Sequence, residues 1–245
     1  MKTGIVIQAR KGATRLPNKM VLPFYQDKGV LELLIKKIKK QYPNTIIVLA
    51  TTDNKADDEL EQIALENEIQ CYRGDENNVL SRFIEVGEQY HLKNIIRVCA
   101  DNPFLDVLHI QELTSKIEEG KYDYVSYKNN KGTPVIKTHL GLFTEAASLN
   151  ALKSIAKNTD KKLYLEHVTN YLYTHDYEIK LLDLPEYFNN TDSIRLTLDT
   201  LEDFQLEKAL YSKLKDASTK ELIEYIKHDK NIIGKMKEQI IKNTK

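Results

Sequence analysis

The sequence has no excess of either charge: 36 lysines and arginines balance 36 aspartates and glutamates over 245 residues. That balance gives no reason to expect nucleic acid or a membrane surface as the main partner, so any cationic chemistry must be local. Only two cysteines occur, Cys71 and Cys99. Each sits in or beside an apolar run, and neither has a Cys/His spacing that would hold zinc, so both read as reduced core residues. No apolar run approaches membrane-spanning length, and "MKTGIVIQAR" turns polar too soon for a signal peptide, so the expected location is cytoplasmic. The backbone cradles for phosphate are missing too. There is no G-x-x-x-x-G-K-[ST] loop, and none of the nine glycines stands two residues from another, which removes the GxGxxG fingerprint. Nor is there an Asp-x-Asp, the metal motif that a sugar-nucleotide-dependent glycosyltransferase usually needs.

What is present is patterned. The length suits one domain, 1–245, or one domain with a lobe. In the first half, compact apolar runs ("GIVIQA", "TIIVLATT", "IQCY", "IIRVCA", "YDYVSY") alternate with stretches of helical period, such as Leu31, Leu34, Ile35 and Ile38 with lysines opposite. That alternation predicts an α/β fold with a mainly parallel sheet flanked by helices. Past Asn129 the order loosens. "NNKGTPVIKTHLGLF" reads as a loop and strand, "TEAASLNALKSIAK" as a helix and "KLYLEHVTNYLYTH" as a tyrosine-rich helix, together an inserted lobe at about 130–190. "SIRLTLD" returns to strand pattern, and helices finish the chain.

Ligands of open parallel sheets bind outside the carboxyl ends of the strands. The first strand delivers Gln8 and then a turn crowded with Arg10, Lys11, Arg15 and Lys19, beside Gly12 and Pro17. The second ends at Thr51, Thr52 and Asp53, the fourth at Asp101 and Asn102, and the late strand at Asp199. Cations can neutralise phosphate oxygens, and one or two carboxylates suffice for Mg²⁺, which keeps several waters. Each aspartate could equally cap the helix that follows it. A solvated charge run would not ordinarily follow a buried strand with turn residues inside it, so the first loop reads as an anion site built from side chains.

The ordered stretches "IVIQARKGATRLPNK", "YRGDENNVLSRF", "IIRVCADNPFLD", "LYLEHVTNYLY" and "IRLTLDTLEDF" resemble the successive motifs of the cytidylyltransferase family. The nearest branch is that of the spore-coat polysaccharide cytidylyltransferases, related to the synthetases of CMP-sialic acid and CMP-Kdo. The resemblance implies a Rossmann-like nucleotidyltransferase fold that moves a cytidylyl group from CTP to an acceptor oxygen, with Mg²⁺ and release of pyrophosphate. It implies that Arg10, Arg15 and Lys19 contact the triphosphate and that Gln8, Ala9, Thr51 and Asp53 lie near the nucleoside. Arg73, Asp75 and Arg82 would sit near the same pocket, and Asp101 and Asp199 would hold the metal. Glu145, Glu166 and His167 would lie by the acceptor or the phosphates. Where the branch often shows "GLDVE", this chain has "GLFTE", with Phe143 in place of an aspartate, which implies an unusual acceptor. His139 is left open, and the remaining histidines read as packing or surface residues. A homodimer through the tyrosine-rich lobe is a further implication. A nucleotidyltransferase for another triphosphate, or a binding protein that kept the fold, would show the same loop.

Overall fold

Residues 2–243 are described by the computed structural model. The first half folds as its alternating periods predict. β1 (Thr3–Gln8) buries its four central residues, and α1 (Val30–Gln41) turns Val30, Leu31, Leu34, Ile35 and Ile38 inward. β2 (Ile47–Thr52) is buried throughout. Then come α2 (Asp58–Glu66), β3 (Gln70–Gly74), α3 (Val79–Gln89), β4 (Asn94–Cys99), α4 (Ile110–Ile117) and β5 (Tyr124–Lys128). Alternate residues of β1 serve two cores, because successive side chains of a strand point to opposite faces. Ile5 and Ile7 pack with α1 and α4, and Val6 packs with α3.

The described residues form one seven-stranded sheet in the order β3-β2-β1-β4-β6-β5-β7, where β6 is Glu145–Ser148 and β7 is Ile179–Asp183. β1 runs parallel to β2 and β4, and β2 runs parallel to β3. Only β6 is antiparallel to its neighbours. Gln8 lies in register with both Ala50 and Cys99, so the carboxyl ends of β1, β2 and β4 open at one edge. After α5 (Leu149–Asn158) and α6 (Lys162–Glu166), the chain closes with α7 (Leu201–Leu214), α8 (Thr219–His228) and α9 (Lys230–Asn243).

The second half departs from expectation in four places. "NNKGTPVIKTHLGLF" holds no strand: it makes one isolated bridge at Pro134 and a short 3-10 turn over Val135–Lys137 before β6 begins at Glu145. "TEAASLNALKSIAK" is not one helix: Glu145–Ser148 is strand β6, and α5 begins only where Ser148 accepts from the Ala151 amide. The small buried Ala146 and Ala147 slot between β4 and β5, and pairing on both sides overrides the helical preference of alanine. "KLYLEHVTNYLYTH" is helical only over α6; beyond it the chain turns to bury Val168, Thr169 and Leu172. "SIRLTLD" is extended but belongs to no ladder. Single bonds hold it, from Leu196 N to the His139 carbonyl and from Leu198 N to the Asp101 carbonyl. Gly141 allows the close approach: its φ is +62°, and a Cβ there would collide with the Leu196 carbonyl oxygen. Part of the stretch expected as a lobe also contributes β6 and β7 to the sheet itself. Among the described residues, no helix is long and apolar enough to cross a membrane.

Candidate active site

A cleft of about 330 Å³ lies over the carboxyl ends of β1 and β4. Gln8, Ala9, Arg10, Arg15 and Lys19 line it from the first loop, Cys99, Ala100 and Asp101 from the end of β4, Glu166 and His167 from the far wall, and Asp199 from the late extended segment. Residues far apart in the chain therefore meet at one sheet edge.

Lys19 is the centre of the arrangement. It is 7% exposed, and its Nζ donates to the Leu198 carbonyl at 2.6 Å, to Asp101 Oδ2 at 3.1 Å and to Asp199 Oδ1 at 3.4 Å. Those two carboxylate oxygens are therefore no further apart than the last two distances laid end to end. Burial alone would lower the ammonium pKa, but the charges of Asp101 and Asp199 outweigh it and hold the pKa above its ordinary value. Arg15, half exposed, lies 3.1 Å from Asp199 Oδ1 and donates to Asn243 Oδ1 at the end of α9. Arg10 lies 3.8 Å from both Glu76 and Glu166, separations that leave its guanidinium donors available. Lys11 turns away: its amide caps onto Asp57 and its ammonium pairs with Glu59.

Arg195 stands behind Asp199. Its guanidinium is buried, grips both oxygens of Asp203 at 2.9 and 2.8 Å, and donates to Asp199 Oδ2 at 2.9 Å. It also donates to His139 Nδ1 at 2.7 Å. Burial first, and then the neighbouring guanidinium, lowers the pKa of His139, so this ring is a neutral acceptor.

Among the described residues, no group of three or more His, Cys, Asp or Glu side chains is arranged to hold a metal alone. Asp101 and Asp199 are a pair of hard oxygen donors beside a cationic loop. That set fits Mg²⁺, which takes one or two carboxylates and completes its shell with substrate phosphates and water.

Other expected site residues lie outside the cleft lining. The Thr51 hydroxyl donates to buried Asp57, and Asp53 is exposed in the loop that follows. Arg73 is held by Asp58 and Glu61 at 2.7 Å each. Asp75 accepts from the Asn77 and Asn78 amides ahead of α3. Arg82 is fully buried, donates to the Asp75 carbonyl and has no partner for its Nε. These five cluster beside the ends of β2 and β3. Glu145 is also enclosed: it accepts from Arg97 at 2.5 Å, Tyr124 at 2.5 Å and Thr169 at 2.7 Å. It reaches the cleft only through Arg97, which donates to Gln8 Oε1 at 3.1 Å. Phe143 needs a correction. Its ring packs among His109, Tyr127 and Phe188 and is 5% exposed, so it does not replace a ligand-facing carboxylate in this cleft.

Arg97, Asp57, Arg195 and Asp203 were not singled out from the sequence. A signal existed for one of them. In "SIRLTLD" the buried Ile194, Leu196 and Leu198 alternate with Arg195, Thr197 and Asp199, which puts Arg195 and Asp199 on the same side of an extended segment.

A mainly parallel sheet whose first loop brings cations over two carboxylates at the carboxyl edge defines a nucleotidyltransferase. The chain belongs to the cytidylyltransferase family, whose sequence model matches residues 4–232, and it is an enzyme that uses CTP as cytidylyl donor. It is 34% identical over 228 residues to the spore coat polysaccharide biosynthesis protein SpsF of Bacillus subtilis, covering 89% of this chain and 91% of that one. A cytidylyltransferase from Leptospira borgpetersenii superposes with a TM-score of 0.80 at 29% identity, covering 95% of this chain and 97% of its own. The CMP:2-keto-3-deoxy-manno-octonic acid synthetase solved with CTP shares the fold, with a TM-score of 0.65 at 15% identity over 87% of this chain and 99% of its own.

Proposed function

We propose that the cleft joins the CMP group of CTP to an oxygen of a small acceptor, a sugar or a phosphorylated small molecule, as a step in making a surface-polysaccharide precursor. The observation that carries this reading is the convergence of Arg15 and Lys19 on Asp101 and Asp199 at one sheet edge, with Arg10 lining the same cleft. Likeness to the spore-coat protein supports the polysaccharide context.

The acceptor oxygen forms a bond to the α-phosphorus, the bond from that phosphorus to the bridging oxygen breaks, pyrophosphate leaves with that oxygen, and the proton of an acceptor hydroxyl passes to water. Arg10, Arg15 and Lys19 bind the triphosphate and offset the charge that gathers on the leaving group. Asp101 and Asp199 would hold Mg²⁺, which when bound supplies positive charge at the phosphoryl oxygens. Glu166 and His167 face the first loop across the cleft and form the acceptor wall. Gln8 and Ala9 form the floor, while Thr51, Asp53, Arg73, Asp75 and Arg82 shape the nucleoside side from behind. Since little covalent work falls to the protein, positioning and charge account for most of the rate. We also propose a homodimer through the tyrosine-rich stretch, where Leu163 is about half exposed. Use of CTP supports a cytoplasmic location.

The test is pyrophosphate release with Mg²⁺ and each of CTP, UTP, GTP and dTTP against a panel of sugars and phosphorylated small molecules. Release is expected only with CTP and a matching acceptor. Turnover with UTP or GTP and never with CTP would overturn the donor assignment. Thermal stabilisation by every triphosphate without turnover would favour a binding protein.

A further inference from the structure

The two oxygens of Asp199 have different surroundings. Oδ1 faces the cleft, 3.4 Å from Lys19 Nζ and 3.1 Å from the Arg15 guanidinium. Oδ2 points away and accepts from Arg195 Nη2 at 2.9 Å. Arg195 is 2% exposed and has no freedom to let go, because Nε and Nη2 also grip Asp203 and Nη1 meets His139. Asp203 is fixed in turn. It forms a capping box with Thr200 at the start of α7, and its Oδ2 accepts from the backbone amides of Asp199 and Thr200 at 3.1 and 3.0 Å. One buried carboxylate therefore sets both the backbone of residue 199 and the guanidinium that holds its side chain.

We propose that Arg195 is a positioning residue that makes Asp199 a one-oxygen ligand, and that this selects a small octahedral cation, Mg²⁺ or Mn²⁺, against Ca²⁺. The inference rests on the reading of Asp199 as a metal ligand. Mg²⁺ demands near-ideal octahedral geometry and takes few carboxylates, whereas Ca²⁺ accepts six to eight oxygens and readily takes a carboxylate through both of its oxygens. A carboxylate free to rotate serves either ion. With Oδ2 held by a buried guanidinium, the carboxylate cannot turn to present both oxygens to one ion unless that hydrogen bond bends or breaks, and breaking it would leave part of a buried charge unpaired. Lysine at this position would keep the charge beside Asp203, but a single ammonium cannot bridge Asp203, Asp199 and His139 in the plane that the guanidinium spans.

The experiment uses the full chain with CTP and no acceptor, so that nothing turns over. Mn²⁺ binding is followed by electron paramagnetic resonance, with Ca²⁺ as competitor. The wild type is expected to hold Mn²⁺ against a large excess of Ca²⁺. Arg195→Lys is expected to let Ca²⁺ compete about 10-fold better, in line with the 10- to 100-fold effects of groups that orient metal ligands. A general loss of stability would weaken both ions alike and leave their ratio unmoved. Asp199→Asn separates the two levels of the argument. If it leaves Mn²⁺ affinity intact, the metal reading of Asp199 fails. If it weakens Mn²⁺ while Arg195→Lys keeps the wild-type Mn²⁺/Ca²⁺ ratio, the positioning role is overturned and the metal reading stands. Should Arg195→Lys fail to fold, Asp203→Asn keeps the shape of the helix cap while loosening the guanidinium, and the same shift toward Ca²⁺ is expected; an unchanged ratio there overturns the proposal.

Discussion

Two charge clusters of similar composition lie near the first strand, and they differ in which valences are left over. Both oxygens of Glu145 are engaged inside the fold, although Nε of the neighbouring Arg97 is buried without a partner. Glu145 Oε1 accepts from Arg97 and Thr169, its Oε2 from Tyr124, and the residue is 1% exposed. Around Lys19 the carboxylates are only partly satisfied by the fold. Asp199 Oδ1 opens to the cleft toward Arg15, whose side chain is half exposed, and Arg10 has no carboxylate closer than 3.8 Å. A closed cluster stabilises one conformation, whereas an open cluster has charge to offer a ligand. The comparison separates two groups that the family resemblance places together: Asp199 lines the cleft, and Glu145 holds the wall behind it.

The sharpest way to break that comparison is Glu145→Gln. Losing the carboxylate charge leaves Arg97 buried without its counter-ion and turns amide hydrogens toward groups that are themselves donors. The expected cost is about 3–5 kcal/mol of folding stability, read from denaturant midpoints. Activity should fall only as far as the folded fraction falls. A stable variant that has lost turnover would move Glu145 into the open class.

Arg15→Ala probes the other side of the comparison with a smaller effect. Its contacts to Asp199 and Asn243 are exposed, and exposed pairs contribute roughly 0.2–1 kcal/mol each, so the melting temperature should barely move. With CTP bound the same guanidinium would meet phosphate oxygens, and its loss should raise the barrier by about 2 kcal/mol, near 30-fold in kcat/KM for CTP. Equal rates for variant and wild type would return this loop to a solvated charge run.

The open cluster was far more legible in the sequence than the closed one. Arg10, Arg15 and Lys19 follow a buried strand through a turn, and Asp101 and Asp199 each end an apolar run, so local pattern places the first four at strand ends and Asp199 at the end of an extended segment that joins no ladder. The pairing of Arg97 with Glu145 joins positions 48 residues apart. Nothing local marks it, since Glu145 stands in an alanine-rich stretch of helical propensity that only the flanking β4 and β5 convert to strand. The same cause hid the turns after α6, where Thr169 leaves the helical path and delivers its hydroxyl to Glu145. Local propensity reads elements whose own residues decide their state, and it fails where distant partners decide.

Glu207 fits neither cluster, and it gives the most selective test. It sits on α7, is 1% exposed, and neither of its carboxyl oxygens has a hydrogen-bond partner. Burial, reinforced by the charge of Asp203, pushes its pKa well above the usual carboxylate range despite the opposing pull of Arg195. A raised folded-state pKa fixes the sign of the pH dependence. Below the unfolded pKa both states hold the proton, and the contribution to stability is complete. As pH rises beyond it, the unfolded chain ionises while the folded chain keeps its proton, so stability is lost until the folded pKa is passed. Glu207→Gln has the same shape and does not titrate. Its stability relative to wild type should therefore grow with pH, by at most about 1.4 kcal/mol per pH unit, the limit for one proton. Denaturant midpoints of both proteins at pH 5, 6.5 and 8 measure this directly. A gap that stays constant across that range would mean that Glu207 is ionised in the fold, and the guanidinium of Arg195 would then have a third carboxylate to balance.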